Sequence, residues 1–301
     1  MRKIGKQVIS CLVAGIMMLG LSTNVSASTK DVNSVTINEY DKYVEIRSTS
    51  NQKLLDEGID LETINYVKSN EIEERLSELS NLSEDDLYNM GYAPEQIEII
   101  KNYSGERIEN VPELRAAFAD MTTSVSKVKA STVSLAIKYA WNWSKQPIFS
   151  GPKVEDIVGI DWTGSDKGGN VLNLAFQSAS SFCDVYYCSN GDSSYTKKSY
   201  TVTNENSYNK ASAVFPMSYY TGSGSSQVNH WAKKGSVIIT VNRVGSKVIN
   251  EGAFVFAYGH STIFGSPSIS LIPPGAGVAF STGVDTMDKT AVRLTSTGVI
   301  I

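Results

Sequence analysis

Beyond residue 131 the chain is a succession of short runs with a period of two, each closed by turn-forming residues. In "TVSLAIKYAWNWS", Leu135, Ile137, Tyr139, Trp141 and Trp143 fall on one side and Ser134, Lys138 and Asn142 on the other, the alternation of a strand buried on one face. "DIVGIDW" repeats it with Val158, Ile160 and Trp162. Similar runs follow in "NVLNLAFQSA", "CDVYYC", "YTVTNE", "ASAVFP", "GSVIITVNRV", "AFVFAYG", "SISLI", "GVAFST" and "AVRLTS". Gly168-Gly169-Asn170, Asn190-Gly191-Asp192, Gly222-Ser223-Gly224 and Pro273-Pro274-Gly275 punctuate them. Strands this short, with no helical runs between them, argue for an antiparallel sandwich or barrel over a parallel sheet. The expected fold is mainly β, an antiparallel β-sandwich over 131–301 preceded by a small α-helical module.

Charge divides the chain at "ADMTTSVSKVKASTVS". Residues 51–118 carry sixteen acidic and six basic side chains, whereas residues 119–301 carry eleven acidic and fifteen basic ones. The acidic part holds the helical signals. "LETINYVKSNEIEERLSEL" spaces Ile64, Val67, Ile72, Leu76 and Leu79 for a helix face. Ser83 followed by Asp86 marks an N-cap, Gly91 a stop, Pro94 a first-turn proline and Gly105 a second stop. So few apolar residues need a partner surface. Residues 28–118 are therefore expected to form an acidic helical module that docks on the basic β domain, either as a pro-segment or as a solvated cap, with residues 119–130 as a linker.

The start of the chain reads as an export signal. Arg2, Lys3 and Lys6 precede the apolar run from Val8 to Leu21, and Val25-Ser26-Ala27 offers small residues for cleavage, so residues 1–27 are expected to be removed and the protein secreted. Cys11 precedes most of the apolar run, unlike an acylated cysteine. Its removal leaves Cys183 and Cys188, for which an exported chain predicts a disulfide, provided "CDVYYC" turns or bulges. Two cysteines without nearby histidines do not fill a zinc shell, and no metal or cofactor is expected.

Candidate sites come from aromatic and basic groupings. Trp141, Trp143 and Trp162 make either a core ladder or a platform for sugar rings or lipid headgroups, and their aliphatic neighbours favour the core. The loop from Lys145 to Glu155 between them is the better recognition element. His230, Trp231, Lys233 and Lys234 cluster in "QVNHWAKKG" as an anion or headgroup contact. His260 lies in "YGHSTIFG", which evokes a nucleophile elbow, but Ile263 replaces the second glycine and would obstruct the turn. Asp156 and Asp161 fall on opposite strand faces and do not converge on one glycosidic bond. Asp161, Asp166 and Asn170 offer oxygens without the spacing of a calcium loop. There is no phosphate-cradling glycine loop and no Arg/Lys stripe for nucleic acid.

The pairing of "WNWS" with "DIVGIDW" and of both with "AYGH" resembles uncharacterised secreted proteins of Gram-positive bacteria over about half the mature chain, and the resemblance implies no activity. From Gly252 to Val284 the chain contains no Asp, Glu, Lys or Arg over 33 residues, which suits either buried strands or membrane-inserting hairpins. The expectation is a secreted, non-enzymatic binding protein at a cell surface or envelope, with wall glycan or membrane lipid as partner. The alternatives are a membrane-acting toxin or bacteriocin-like effector and a secreted hydrolase.

Overall fold

Two antiparallel sheets carry the fold, and the protein is mainly β. The computed structural model describes residues 34–301 apart from 57, 58, 60, 151–153, 191–193, 206–208, 224, 225, 262–266, 270–277, 279 and 281–283. The export signal, the Pro273-Pro274-Gly275 turn and parts of the turns at 190–192 and 222–224 lie outside the described residues.

The chain enters as strand β1 (Val35–Asn38) and then forms helices α1 (Glu39–Ser48), α2 (Asn51–Asp56), α3 (Leu61–Lys68), α4 (Glu71–Asn81), α5 (Glu84–Asn89) and α6 (Pro94–Lys101). Strands follow: β2 (Asp120–Ala130), β3 (Ser134–Trp143), β4 (Glu155–Ser165), β5 (Val171–Leu172), β6 (Leu174–Phe176), β7 (Phe182–Cys188), β8 (Thr196–Tyr200), β9 (Thr203–Glu205), β10 (Lys210–Pro216), β11 (Ser218–Thr221), β12 (Val228–Arg243), β13 (Glu251–Ser261) and β14 (Val284–Thr295). One sheet runs β1-β2-β3-β12-β7-β8, with β6 and β11 also paired to β12. The other runs β14-β13-β4-β10-β9, with β5 paired to β4.

Alternation places the core. Leu135, Ile137, Tyr139, Trp141 and Trp143 of β3 and Val158, Ile160 and Trp162 of β4 all belong to one buried cluster that draws on both sheets. Its rings meet between sheets: Tyr139 stacks on Phe256 at 5.2 Å and Trp141 on Phe215 at 5.2 Å. Gly235 makes room for the second stack, since a Cβ there would stand 2.3 Å from Trp141 Cζ2. A smaller cluster of Ile157, Ala257, Val278, Phe280 and Val284 forms apart from this core. Within the uncharged stretch, Gly252–Ser261 belongs to β13, and Ile269 and Phe280 form an isolated bridge.

The helices follow their local signals. Asn38 turns β1 into α1 by accepting the Tyr40 N–H at 2.9 Å while donating to Asp120. Ser83 caps α5 through the Asp86 N–H at 3.0 Å, Pro94 opens α6, and Gly91 ends the preceding turn at φ +105°. The stretch 61–79, spaced for a helix face, falls in two helices, α3 and α4, separated at Ser69-Asn70. Ile64, Val67, Ile72 and Leu76 nonetheless all face a common core.

The boundary drawn from charge does not survive as a break in structure. Residues 119–130, expected as a linker, are almost entirely β2, paired to β1 on one side and β3 on the other. Met121, Thr123 and Val125 alternate into the interior, but the single Thr and the Ser/Lys-rich outer positions dilute the sequence signal. The described residues, from 34 onward, belong to one compact unit.

Candidate functional site

His260 sits at the end of the core where α1, β3, β4 and β13 converge. Its Nδ1 lies 2.8 Å from Asp156 Oδ1, and its Nε2 lies 3.7 Å from Glu39 Oε1. All three side chains have 0% exposure. Tyr258 donates to Asp156 Oδ2 at 2.6 Å, the Ser261 N–H donates to Asp156 Oδ1 at 3.2 Å, and Trp143 Nε1 donates to the Tyr258 hydroxyl at 3.2 Å. Glu39 Oε2 in turn accepts the Ala119 N–H at 3.0 Å. Burial pushes the Glu39 carboxyl above its ordinary value, with the His260 ring and the Ala119 and Ile148 amides pulling the other way. Burial and Asp156 also raise the Tyr258 phenol. Ser261, at the nucleophile position of the elbow-like motif, spends its hydroxyl on the Glu155 carbonyl. A His, two carboxylates and a serine thus meet, but in the interior, where they tie α1 to the sheets.

The other sequence candidates separate. Trp141, Trp143, Trp162 and Trp231 are 2%, 0%, 2% and 5% exposed, so all four are core rings and none offers a flat open surface. The loop after β3 is not an exposed recognition loop either. Gln146, Ile148 and Phe149 are buried; Ile148 and Phe149 join the helical core, and Ile148 accepts from Tyr92 while Gln146 binds Gln96 and Met90. The apolar pair in "QPIF" fills the seam beneath the helices, and residues 151–153 lie outside the described residues.

The expected disulfide is absent. Cys183 and Cys188 occupy one continuous strand, β7, with no turn between them, and both are buried thiols. Five residues of extended chain separate their Cα atoms by about 16 Å, far beyond disulfide reach. The bulge that the sequence demanded lies instead in the partner strand β12, between Ala232 and Lys234. Burial drives the Cys183 thiol far up, away from reactivity.

That bulge also splits the His230–Lys234 group. His230 stacks on Tyr219 at 5.1 Å and pairs with Thr221 at 2.9 Å, and Lys198 lies 3.1 Å from the Tyr219 ring centre. Lys233, the extra residue, lies over Trp231 at 5.2 Å and donates to the Ser144 carbonyl. Burial lowers the Lys233 ammonium below its ordinary value. Lys234 emerges elsewhere, 4.1 Å from the centre of the Tyr195 ring and 5.7 Å from that of Tyr186.

The sheet register around Lys234 builds a feature that no single segment reveals. Lys197 of β8 opposes Tyr186 of β7, Tyr186 opposes Lys234 of β12, Lys234 opposes Asn142 of β3, Asn142 opposes Thr122 of β2, and Thr122 opposes Thr36 of β1. Directly opposed residues share a face, so these six side chains form one transverse row. They point away from the face that carries Val185, Val237 and Ile239 into the core. Lys197, Asn142 and Thr36 are exposed, the other three are half-buried, and Tyr195 at 43% exposure flanks the lysine end. The neighbouring row is small and polar, with Ser199, Asp184, Ser236, Ala140 and Ser124 in register. Asp184 binds Lys197 at 2.7 Å and accepts from Ser199 at 2.6 Å. Lys234 was marked by "AKKG", and Lys197 by "TKKSY". The remainder depends on pairing register.

Asp166 and Asn170 hydrogen-bond to each other at 3.0 Å in a closed turn, and Asp161 pairs with buried Lys210 at 3.2 Å. No group of three or more potential metal ligands occurs among the described residues.

No family model and no curated protein matches the chain. Several solved structures are similar at low level. One is described as AvmM, which catalyses macrocyclization in alchivemycin A biosynthesis, at 10% identity over 58% of this chain and 88% of that one, with a TM-score of 0.25. Clostridium perfringens delta-toxin matches at 12% identity over 61% and 88%, TM-score 0.22. The CupB6 tip adhesin from Pseudomonas aeruginosa matches at 11% over 57% and 50%, TM-score 0.18. Likenesses this weak carry no argument.

Proposed function

We propose that the protein is a secreted, non-enzymatic binding protein acting at a cell surface or envelope, with its two sheets packed as an antiparallel β-sandwich behind the acidic helical segment. The observation that carries this reading is the transverse row on the outer sheet face, in which Lys234 lies against Tyr195 and Tyr186 beside Lys197. An ammonium held over one exposed and one half-buried ring, next to a second lysine and to amide and hydroxyl groups, suits contact with a polar, negatively charged surface. The side chains of catalytic type, His260, Asp156 and Glu39, are spent on one another in the interior.

The test is sedimentation of the purified protein with isolated Gram-positive cell envelopes. Retention that weakens in the Tyr195→Ala and Lys234→Ala variants supports the reading; no retention on any envelope fraction defeats it. The membrane-acting alternative would require Ile269, Val278 and Phe280 to leave the cluster they form with Ile157. Dye release from phosphatidylglycerol vesicles would favour it instead.

A further inference from the structure

We propose that the row from Lys197 to Thr36 is a track for one extended anionic glycan, a linear sugar chain bearing carboxylate or phosphate groups and lying across the strands. This rests on the binding reading above and names the ligand class of the same face. Strands in a sheet lie about 4.8 Å apart, so six opposed residues span about 24 Å in a straight line one side chain wide. A linear polymer fits such a track.

The chemistry along the row is graded. At one end Lys197 and Lys234 supply two ammonium groups, and among the described residues Asp184 pairs with Lys197 at 2.7 Å. Tyr186 stands between them, and Tyr195 lies beside Lys234. Tyrosine rings present broad amphipathic faces at low entropic cost, suited to the C–H faces of sugar rings. At the other end Asn142, Thr122 and Thr36 offer amide and hydroxyl groups, with Thr36 and Thr122 already joined at 2.9 Å. They are partners for neutral sugar hydroxyls rather than for a continuous line of charge. The small neighbours Ser236, Ala140 and Ser124 leave the row standing beside a shallow ledge.

Other polymers fit less well. A nucleic-acid strand would meet cations at one end only, although its charge repeats along its whole length. A bilayer would need apolar side chains to bury, and none of the six is aliphatic.

The experiment is calorimetric titration of the intact protein with a ladder of hyaluronan oligosaccharides of increasing length, with neutral dextran oligomers and phosphatidylglycerol vesicles as comparators. Affinity is expected to rise with oligomer length and level off once the chain spans about 24 Å, and to fall with added salt. Lys234→Ala and Tyr195→Ala should each weaken binding roughly tenfold. Thr36→Ala should weaken only the longer oligomers. Lys197→Ala, at an exposed position, keeps the test valid if Lys234→Ala fails to fold. Equal binding of dextran or vesicles, affinity independent of length, or no response to Lys197→Ala would overturn the inference. Retention on envelopes with any of these outcomes removes the glycan track and leaves the binding reading standing, whereas loss of envelope retention removes both.

Discussion

Two tryptophans on one strand separate the worth of a hydrogen bond from the worth of a ring. Trp143 Nε1 donates to Tyr258, whereas the similarly buried Trp141 Nε1 has no partner among the described residues. Replacing either by Phe removes similar volume, but Trp143→Phe also takes the donor from the buried Tyr258 hydroxyl oxygen, and Trp141→Phe relieves a buried unpaired donor. Trp143→Phe should therefore be the more destabilising by about 1–3 kcal/mol in urea unfolding; equal losses would mean that the Trp143 bond contributes nothing net. Glu39 carries the opposite kind of information. Because burial raises its pKa above the ordinary 4.5, the folded state favours the protonated form. Its contribution is complete below the ordinary value and is lost as pH rises through the raised one. Glu39→Gln fixes the neutral form beside His260, Asp156 and Tyr258, so its melting temperature should gain on the wild type as pH rises from below 4.5. A difference that stays constant with pH would mean that Glu39 does not titrate in the folded protein.

At the scale of elements, Arg47 holds α1 against the rest of the helices. Its guanidinium donates to the Val67 carbonyl at 2.6 Å, to the Ser69 carbonyl at 3.1 Å, and to Glu73 and Glu109, and its side chain is only 4% exposed. Burial by itself would raise both carboxyls; the Arg47 bond and backbone amides reverse this to hold Glu73 below its ordinary value, and a backbone amide with the Arg47 and Arg107 bonds holds Glu109 at about 2. Arg47→Ala leaves Glu73 buried and unpaired, an expected loss of about 3–5 kcal/mol at neutral pH. Lowered carboxyl values stabilise above the ordinary pKa and lose that effect as pH falls, so the gap between wild type and variant should close between pH 4.5 and about 2. A gap unchanged in acid would assign the loss to packing alone. Much at this scale was legible. Ser83, Gly91 and Pro94 work where they stand because caps and stops are local chemistry. The core-facing residues of β3 and β4 were legible because period-two alternation is local too. The bulge at Lys233, which sends Lys233 and Lys234 to separate surroundings, depends on pairing with β7 and leaves no mark in "HWAKKG". The cysteine pair misled for a related reason: export chemistry favours a disulfide, but the strand preference of "CDVYYC" keeps the sulfurs apart.

The whole molecule turns on how the helical segment and the sheets are joined, and there the sequence was least legible, because a shift in charge density resembles a domain boundary. Side chains cross that boundary. Ile148 and Phe149, from the loop after β3, complete the helical core with Tyr43, Ile46 and Phe118. Asn229 and Gln146 donate to the Met90 carbonyl, Asn190 donates to that of Tyr92, and β1 supplies an edge of the eight-stranded sheet. A chain beginning at residue 119 would expose Ile148 and Phe149, leave His260 without Glu39 and turn β2 into an open edge. Such a truncation is expected to bind a hydrophobic dye and to aggregate, whereas a chain beginning at residue 34 should melt as one cooperative transition close to that of the full protein. A soluble, cooperatively melting 119–301 fragment would defeat this account and restore the view of residues 28–118 as a removable pro-segment.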